Sequence, residues 1–245
     1  EEIDINRKHP AILILPGGGY GFVSNRENEP VALKFLAEGI CAFTLKYSVA
    51  PQAVFPQALC EAALAMDYIR RHAKEYNIDK NNISVCGFSA GGHLAATLGA
   101  FWDKDFVKDI IGLDKDTQPD KVILAYPVIT SGEYAHRGSF ENILGNQKND
   151  PKMLELLSME KQVTQEYPPV FIWHTFEDNA VPVMNSILFA QSLAKNNVLT
   201  EMHIYPNGHH GLSLGNYLVE GNKDYRYGHE SKEWIDKAVD FIYKY

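Results

Sequence analysis

The stretch Cys86-Gly87-Phe88-Ser89-Ala90-Gly91-Gly92-His93 decides how this chain folds. It sets a serine between two glycines, after an apolar run at Ile83–Cys86 and before a helix rich in small residues at Gly91–Phe101. This G-x-S-x-G spacing is that of a nucleophile elbow, a strand-to-helix turn tight enough to strain the serine and lift its hydroxyl clear of the backbone. Glycines are needed there because a Cβ on either side would collide with the neighbouring strand or helix. The helix start also aims backbone N–H groups at any negative charge developing near Ser89. Three fixed positions alone occur by accident in roughly one chain of this length in ten. The rest of the chain has to supply the argument.

Short apolar runs alternate with longer helical patterns around the elbow, the signature of a parallel sheet with crossover helices. The reading places strands at Ala11–Leu15, Cys41–Lys46, Ile83–Cys86, Lys121–Ala125, Val170–His174 and Thr200–Tyr205. Helices fit Pro30–Glu38, Pro56–Glu75, Gly91–Phe101, Met184–Lys195 and His229–Tyr243. The second is the clearest, with Leu59, Ala62, Ala63, Met66, Ile69 and Ala73 on one face at helical spacing. Little chain precedes the first central strand, so outer strands are expected to be missing or very short. The pattern predicts one α/β domain over residues 1–245: a mostly parallel sheet flanked by helices on both faces. Residues 131–168, after the strand ending near Ala125, are too long for a plain connection and suit equally a helical lid insertion or a surface excursion that packs on itself. Within them Asn149-Asp150-Pro151 reads as a cap and first-turn proline of a short helix through Leu157. Tyr134, His136, Arg137 and Phe140 supply aromatic and charged groups to the same insertion.

Composition narrows the function. The 245 residues carry a formal net charge of −8, which argues against nucleic acid or an anionic membrane as partner. No apolar run approaches the ~20 residues that span a bilayer. Cys41, Cys60 and Cys86 form no CxxC pair and read as core thiols, which suits a reducing cytoplasm. No signal peptide is visible, although a chain opening at Glu1 leaves open whether one was removed. No HExxH or Cys/His cluster suggests a metal, and neither metal nor cofactor is expected. A monomer or a homodimer fits equally well.

A serine hydroxyl needs a base within hydrogen-bond reach, and that base needs an orienting acid. In an open α/β sheet both belong on loops at the carboxyl ends of other strands. The loop after Val170–His174 carries Glu177 and Asp178, and the loop after Thr200–Tyr205 carries His209 and His210. Gly211 favours His210 as the base. The order is then serine, acid, histidine, which is the order of α/β-hydrolases. Donors for an oxyanion are offered by Leu15-Pro16-Gly17-Gly18-Gly19-Tyr20 and by the N–H of Ala90. That glycine run is not a phosphate loop, since no G-K-[ST] follows it.

With these residues in view, the chain resembles the α/β-hydrolase superfamily, and within it the xylan-esterase-like acetylesterases that act on sugar esters. The resemblance rests on Pro16-Gly17-Gly18-Gly19-Tyr20, Ser24-Asn25-Arg26-Glu27, the elbow through Ala95, Trp173-His174-Thr175, Val181-Pro182-Val183-Asn185-Ser186 and Gly208-His209-His210-Gly211. It implies Ser89, Asp178 and His210 as the catalytic residues, with Asp178 preferred to Glu177 because Val181-Pro182 follows as in that group. It also implies Gly18, Gly19 and Ala90 as oxyanion donors. Pro16 stands where hormone-sensitive-lipase-like enzymes carry the histidine of His-Gly-Gly-Gly, which points away from long-chain lipases. The expected substrate is a small-molecule ester, an acetylated sugar by that resemblance.

The same residues allow other functions. A small amidase or peptidase shares the triad order, and a hydrolase-fold binding protein without turnover would lack a triad member. Ser158-Met159-Glu160-Lys161 matches S-x-x-K, but lacks the companion motifs of β-lactamases and fits a helix cap better. His174 suits either the crevice or the core. Arg26-Glu27 suits a helix-start ion pair better than a role in shaping the acyl site.

Overall fold

The computed structural model describes residues 4, 6–112, 116–219 and 229–245. In chain order these form β1 (His9–Leu15), α1 (Glu29–Ala37), β2 (Cys41–Thr44), α2 (Gln57–Arg71), β3 (Ile78–Phe88), α3 (Ala90–Phe101) and α4 (Asp105–Ile111). There follow β4 (Lys121–Ala125), α5 (Arg137–Leu144), α6 (Pro151–Leu156), β5 (Val170–Thr175), α7 (Met184–Lys195), β6 (Thr200–Tyr205) and α8 (Trp234–Lys244). All six expected strands are present, in the order β2-β1-β3-β4-β5-β6, and every neighbouring pair is parallel.

The sheet is covered on both faces because its central strands are apolar on both. In β1, Ala11, Leu13 and Leu15 face one core, with α2, α3 and α7, while Ile12 and Ile14 face the other, with α1 and α8. The alternation is the period of two of a pleated strand. The second core is aromatic: Trp173 and Trp234 stack at 5.4 Å, and Phe88 meets Trp234 edge-on at 5.7 Å.

Some boundaries differ from the sequence reading. β3 starts at Ile78 rather than Ile83, and a register break between His9 and Ala11 lets the polar residues 79–82 enter the strand. The helix expected over Pro56–Glu75 ends at Arg71, although Ala73 stays buried as the chain turns through Asn77, at a left-handed φ of 57°. The last helix begins as a 3-10 turn at Glu230–Glu233, capped by the His229 imidazole, before continuing as α8. Helix α4 is not among the helices the sequence pattern predicts. Its single turn or two carries little periodicity, and Gly112 ends it.

The insertion after β4 holds α5 and α6, with Asp150 accepting the N–H of Lys152 as the cap and Pro151 opening the helix. Ser158 sits at the start of a following 3-10 turn without capping it. Its Oγ donates to Leu154 O and meets Ser131 Oγ at 2.7 Å, tying the end of α6 to the start of the insertion. Arg137 clamps that start from the other side through Ser131 O and Gly132 O.

His93, in the first turn after the elbow, fastens the insertion to the sheet. Its Nε2 lies 2.8 Å from Leu157 O, which can only accept, so Nε2 carries the proton and Nδ1 accepts from Tyr20 Oη at 2.8 Å. Complete burial, partly opposed by the Leu157 carbonyl, pushes this imidazole down to about 4. An unfolded histidine titrates near 6.5. Between those values the unfolded chain takes a proton that the folded chain refuses. Stability therefore falls as pH falls from 6.5 to 4, by on the order of 3 kcal/mol in all, and His93 adds no loss below that window. His93→Gln should show a smaller drop in unfolding free energy between pH 7 and 4.5 than the parent. An equal drop in both would contradict this.

Candidate active site

The elbow forms because only its glycines allow it. A Cβ on Gly87 would overlap the carbonyl of Gly91, and one on Gly91 would overlap the carbonyls of Leu15 and Pro16. The chain can therefore turn from β3 into α3 within one residue. Ser89 is that residue, at φ 52° and ψ −118°, a conformation that costs a non-glycine residue about 1–3 kcal/mol. The cost is offset by full use of its backbone: Ser89 N–H donates to Ala125 O, and its carbonyl accepts from His93 and Val128.

Three strand ends meet at the Ser89 hydroxyl. Ser89 lies beyond β3, Asp178 beyond β5 and His210 beyond β6. His210 Nε2 is 2.7 Å from Ser89 Oγ, and His210 Nδ1 is 2.6 Å from Asp178 Oδ2. The carboxylate can only accept, so Nδ1 carries the proton and the Nε2 lone pair faces the serine.

Asp178 is held by more than the histidine. Its Oδ1 accepts the N–H groups of Ala180 and Val181 at 3.0 and 2.9 Å. Its Oδ2 also lies 3.3 Å from His174 Nε2. Burial pushes the carboxyl pKa up, but the hydrogen bonds from His174, His210 and Val181 outweigh it and hold the group well below the usual carboxylate range. His174 is fully buried and reaches Asp178 from the interior rather than lining the cavity: its Nε2 also donates to Val181 O at 2.9 Å, leaving Nδ1 to accept from Ser186 Oγ at 2.7 Å. The neighbouring candidates lie elsewhere. Glu177 is exposed and accepts from Gly208 N–H, and the His209 ring turns back to the carbonyl of His210.

The glycine loop after β1 closes over the serine. Among the described residues no acceptor is paired with the N–H of Gly18 or Gly19, and Ala90 N–H is the first of α3, without an intrahelical partner. Gly17 N–H is different, since Glu27 takes it at 2.8 Å. Arg26 and Glu27 form no ion pair with each other. Arg26 Nε instead donates to Val219 O, and the Glu27 side chain is buried under the loop.

A cavity of about 520 Å³ opens over Ser89 and His210, walled by the glycine loop and by His136 and Asn142 of the insertion. Asn142 Nδ2 donates to Gly19 O at 2.8 Å, so α5 braces the loop. His136 accepts Ser139 N–H on Nδ1, so its proton sits on Nε2, and the residue forms part of the cavity wall. Burial, and secondarily the nearby His210, push this imidazole below its ordinary value, with Asp178 opposing. In the sequence His136 stands out only as part of a long insertion, and nothing local signals a wall of the site. Among the described residues no group of three or more His, Cys, Asp or Glu side chains could hold a metal ion.

The sequence profile of the BD-FAE family matches residues 3–193. The chain belongs to the BD-FAE family. Its similarity to endo-1,4-β-xylanase B of Butyrivibrio fibrisolvens is 39% identity over 85% of this chain and 33% of that protein. To an acetylxylan esterase of Xylanibacter ruminicola it is 30% identical, over 85% of this chain and 42% of that protein. This BD-FAE chain thus spans less than half the length of those curated relatives. Among solved structures, the acetyl ester-xyloside bifunctional hydrolase of Caldicellulosiruptor lactoaceticus superposes with a TM-score of 0.84 at 37% identity, over 99% of this chain and 85% of that one. The α/β-hydrolase fold expected from the elbow is the fold of this BD-FAE protein. Among its described residues no helix is long and apolar enough to cross a membrane.

Proposed function

We propose that this protein is a serine carboxylic-ester hydrolase that removes a small acyl group, acetyl in the first instance, from a carbohydrate alcohol. The observation that carries the reading is the continuous hydrogen-bonded chain from Asp178 through His210 to Ser89, beneath unpaired N–H groups. Ser89 Oγ attacks the ester carbonyl carbon while its proton passes to His210 Nε2. Asp178 holds the ring and stabilises the imidazolium. The carbonyl oxygen, now an anion, accepts from the N–H groups of Gly18, Gly19 and Ala90, each such donor being worth roughly 3–4 kcal/mol in the transition state. Collapse breaks the bond to the alcohol oxygen, which leaves with the His210 proton. Water, deprotonated by the same nitrogen, then releases the acid and restores Ser89.

Ester rather than amide cleavage is favoured by the relatives, which include an acetylxylan esterase and an acetyl ester-xyloside hydrolase. The match to part of a xylanase supports a polysaccharide setting. The insertion over residues 131–168 supports a covering role by giving His136 and Asn142 to the cavity. Three cysteines without a disulfide suit the cytoplasm.

A p-nitrophenyl ester series of increasing acyl length, run beside acetylated xylo-oligosaccharide, tests the substrate. Highest kcat/KM on the acetyl ester, with acetate released from the sugar, is the expected result. Preference for acyl chains of about eight carbons or more would overturn it.

A further inference from the structure

Glu27 is buried at the edge of the cavity, and the reaction as derived above gives it no task. Its carboxylate accepts twice, from Gly17 N–H at Oε2 (2.8 Å) and from the Tyr126 hydroxyl at Oε1 (2.6 Å). The direction of the second bond is fixed. Tyr126 oxygen already accepts Ser213 N–H at 2.9 Å, so its single proton points to Glu27. Ser213 closes the loop that carries His210, its Oγ donating to Arg26 O at 2.7 Å and its carbonyl accepting Trp234 Nε1 at 2.8 Å. The Tyr126 ring also stands edge-on to the His210 imidazole, with centroids 5.0 Å apart. Tyr126 reaches this place with a φ of 38°, a conformation rarely held by an aromatic residue and costing about 1–3 kcal/mol.

We propose that Glu27 and Tyr126 are a positioning pair, a buried bridge that sets the Gly17–Gly19 loop and the His210 loop at one fixed separation. The proposal rests on the serine-esterase reading. In that reaction the oxyanion donors come from one loop and the proton acceptor from another, and both must fit one tetrahedral centre. A misplacement of about 1 Å between such groups can cost about 100-fold in rate. Glu27 touches both sides of that separation, Gly17 directly and the His210 loop through one tyrosine.

Glu27→Gln is the diagnostic variant because it keeps the shape and changes the hydrogen-bond sign. Both partners of Glu27 are donors, so the amide NH2 faces a donor whichever way it lies. Tyr126→Phe cuts the bridge and strands Glu27 Oε1 and Ser213 N–H. Each variant is assayed on p-nitrophenyl acetate well below its unfolding temperature, with active sites counted by fluorophosphonate labelling. The expected result is a fall in kcat per labelled site of about 10- to 100-fold, with KM within about twofold of the parent. The double variant should fall far short of the product of the two losses, since both cut one bridge. A merely structural pair would lower Tm and the count of labelled sites while kcat per site stayed at the parent value, and that result overturns the proposal. If Glu27→Gln does not fold, Tyr126→Phe is judged by the same criteria. Should the parent turn over the ester and Ser89→Ala not, while both bridge variants keep parental kcat per site, the positioning proposal fails and the esterase reading stands. A parent without esterase activity overturns both.

Discussion

Replacing Ser89 by alanine is expected to lower kcat on p-nitrophenyl acetate by about five to six orders of magnitude while leaving the fold and its thermal stability close to the parent. The size follows from the chemistry: without Oγ there is no acyl-enzyme, and only the oxyanion donors and substrate binding are left to act on attack by water. The small effect on stability follows from the local structure. Among the described residues the Ser89 hydroxyl bonds only to His210, whereas the elbow is held by its backbone bonds to Ala125, His93 and Val128. Alanine also adopts the strained φ of this turn no worse than serine. Steady-state kinetics with a Tm control checks both halves, and turnover within about tenfold of the parent would remove Ser89 from the mechanism.

Asp178→Asn is expected to lower kcat by about four orders of magnitude. The side chain keeps its shape, and the two backbone donors decide how the amide lies. Oδ1 accepts from Ala180 and Val181, so the amide oxygen takes that place and NH2 faces His210 Nδ1. Nδ1 must then accept, its proton moves to Nε2, and the lone pair that should receive the serine proton is gone. The same NH2 also faces His174 Nε2, which already donates to Val181 O. A buried donor is thereby set against a donor, and a loss of stability on the order of 1–3 kcal/mol accompanies the loss of rate. Kinetics and denaturant unfolding of the same preparation measure the two together. A variant with parental kcat would show that Asp178 neither fixes the tautomer nor stabilises the imidazolium.

What the sequence revealed of this site follows from how each residue is placed. Ser89 was legible because the elbow is built from local sterics, and His210 because its loop pairs a strand end with Gly211. The choice of Asp178 over Glu177 depends on which of two adjacent carboxylates folds under Val181, and composition does not decide that. The six strands were legible from continuous apolar runs. The early start of β3 was not, because residues 79–82 are polar and lie in a register break between the pairs His9–Ile78 and Ala11–Ile83. Glu27 and Tyr126 lie 99 positions apart, and their bond exists only once β1, β3 and β4 are assembled side by side. Ser24-Asn25-Arg26-Glu27 could be recognised as a motif, yet its partner could not. The same holds for His136 and Asn142, which meet the cavity only through the packing of α5 over the glycine loop.

The central claim is a covalent acyl group on Ser89. Acid-quenching the enzyme during turnover of p-nitrophenyl acetate, followed by peptide mass spectrometry, tests it most directly. The account predicts an acetyl group on the peptide that carries Ser89, absent from the Ser89→Ala variant. Steady ester turnover with Ser89 unmodified, or with the acetyl group accumulating on a different residue, would contradict it.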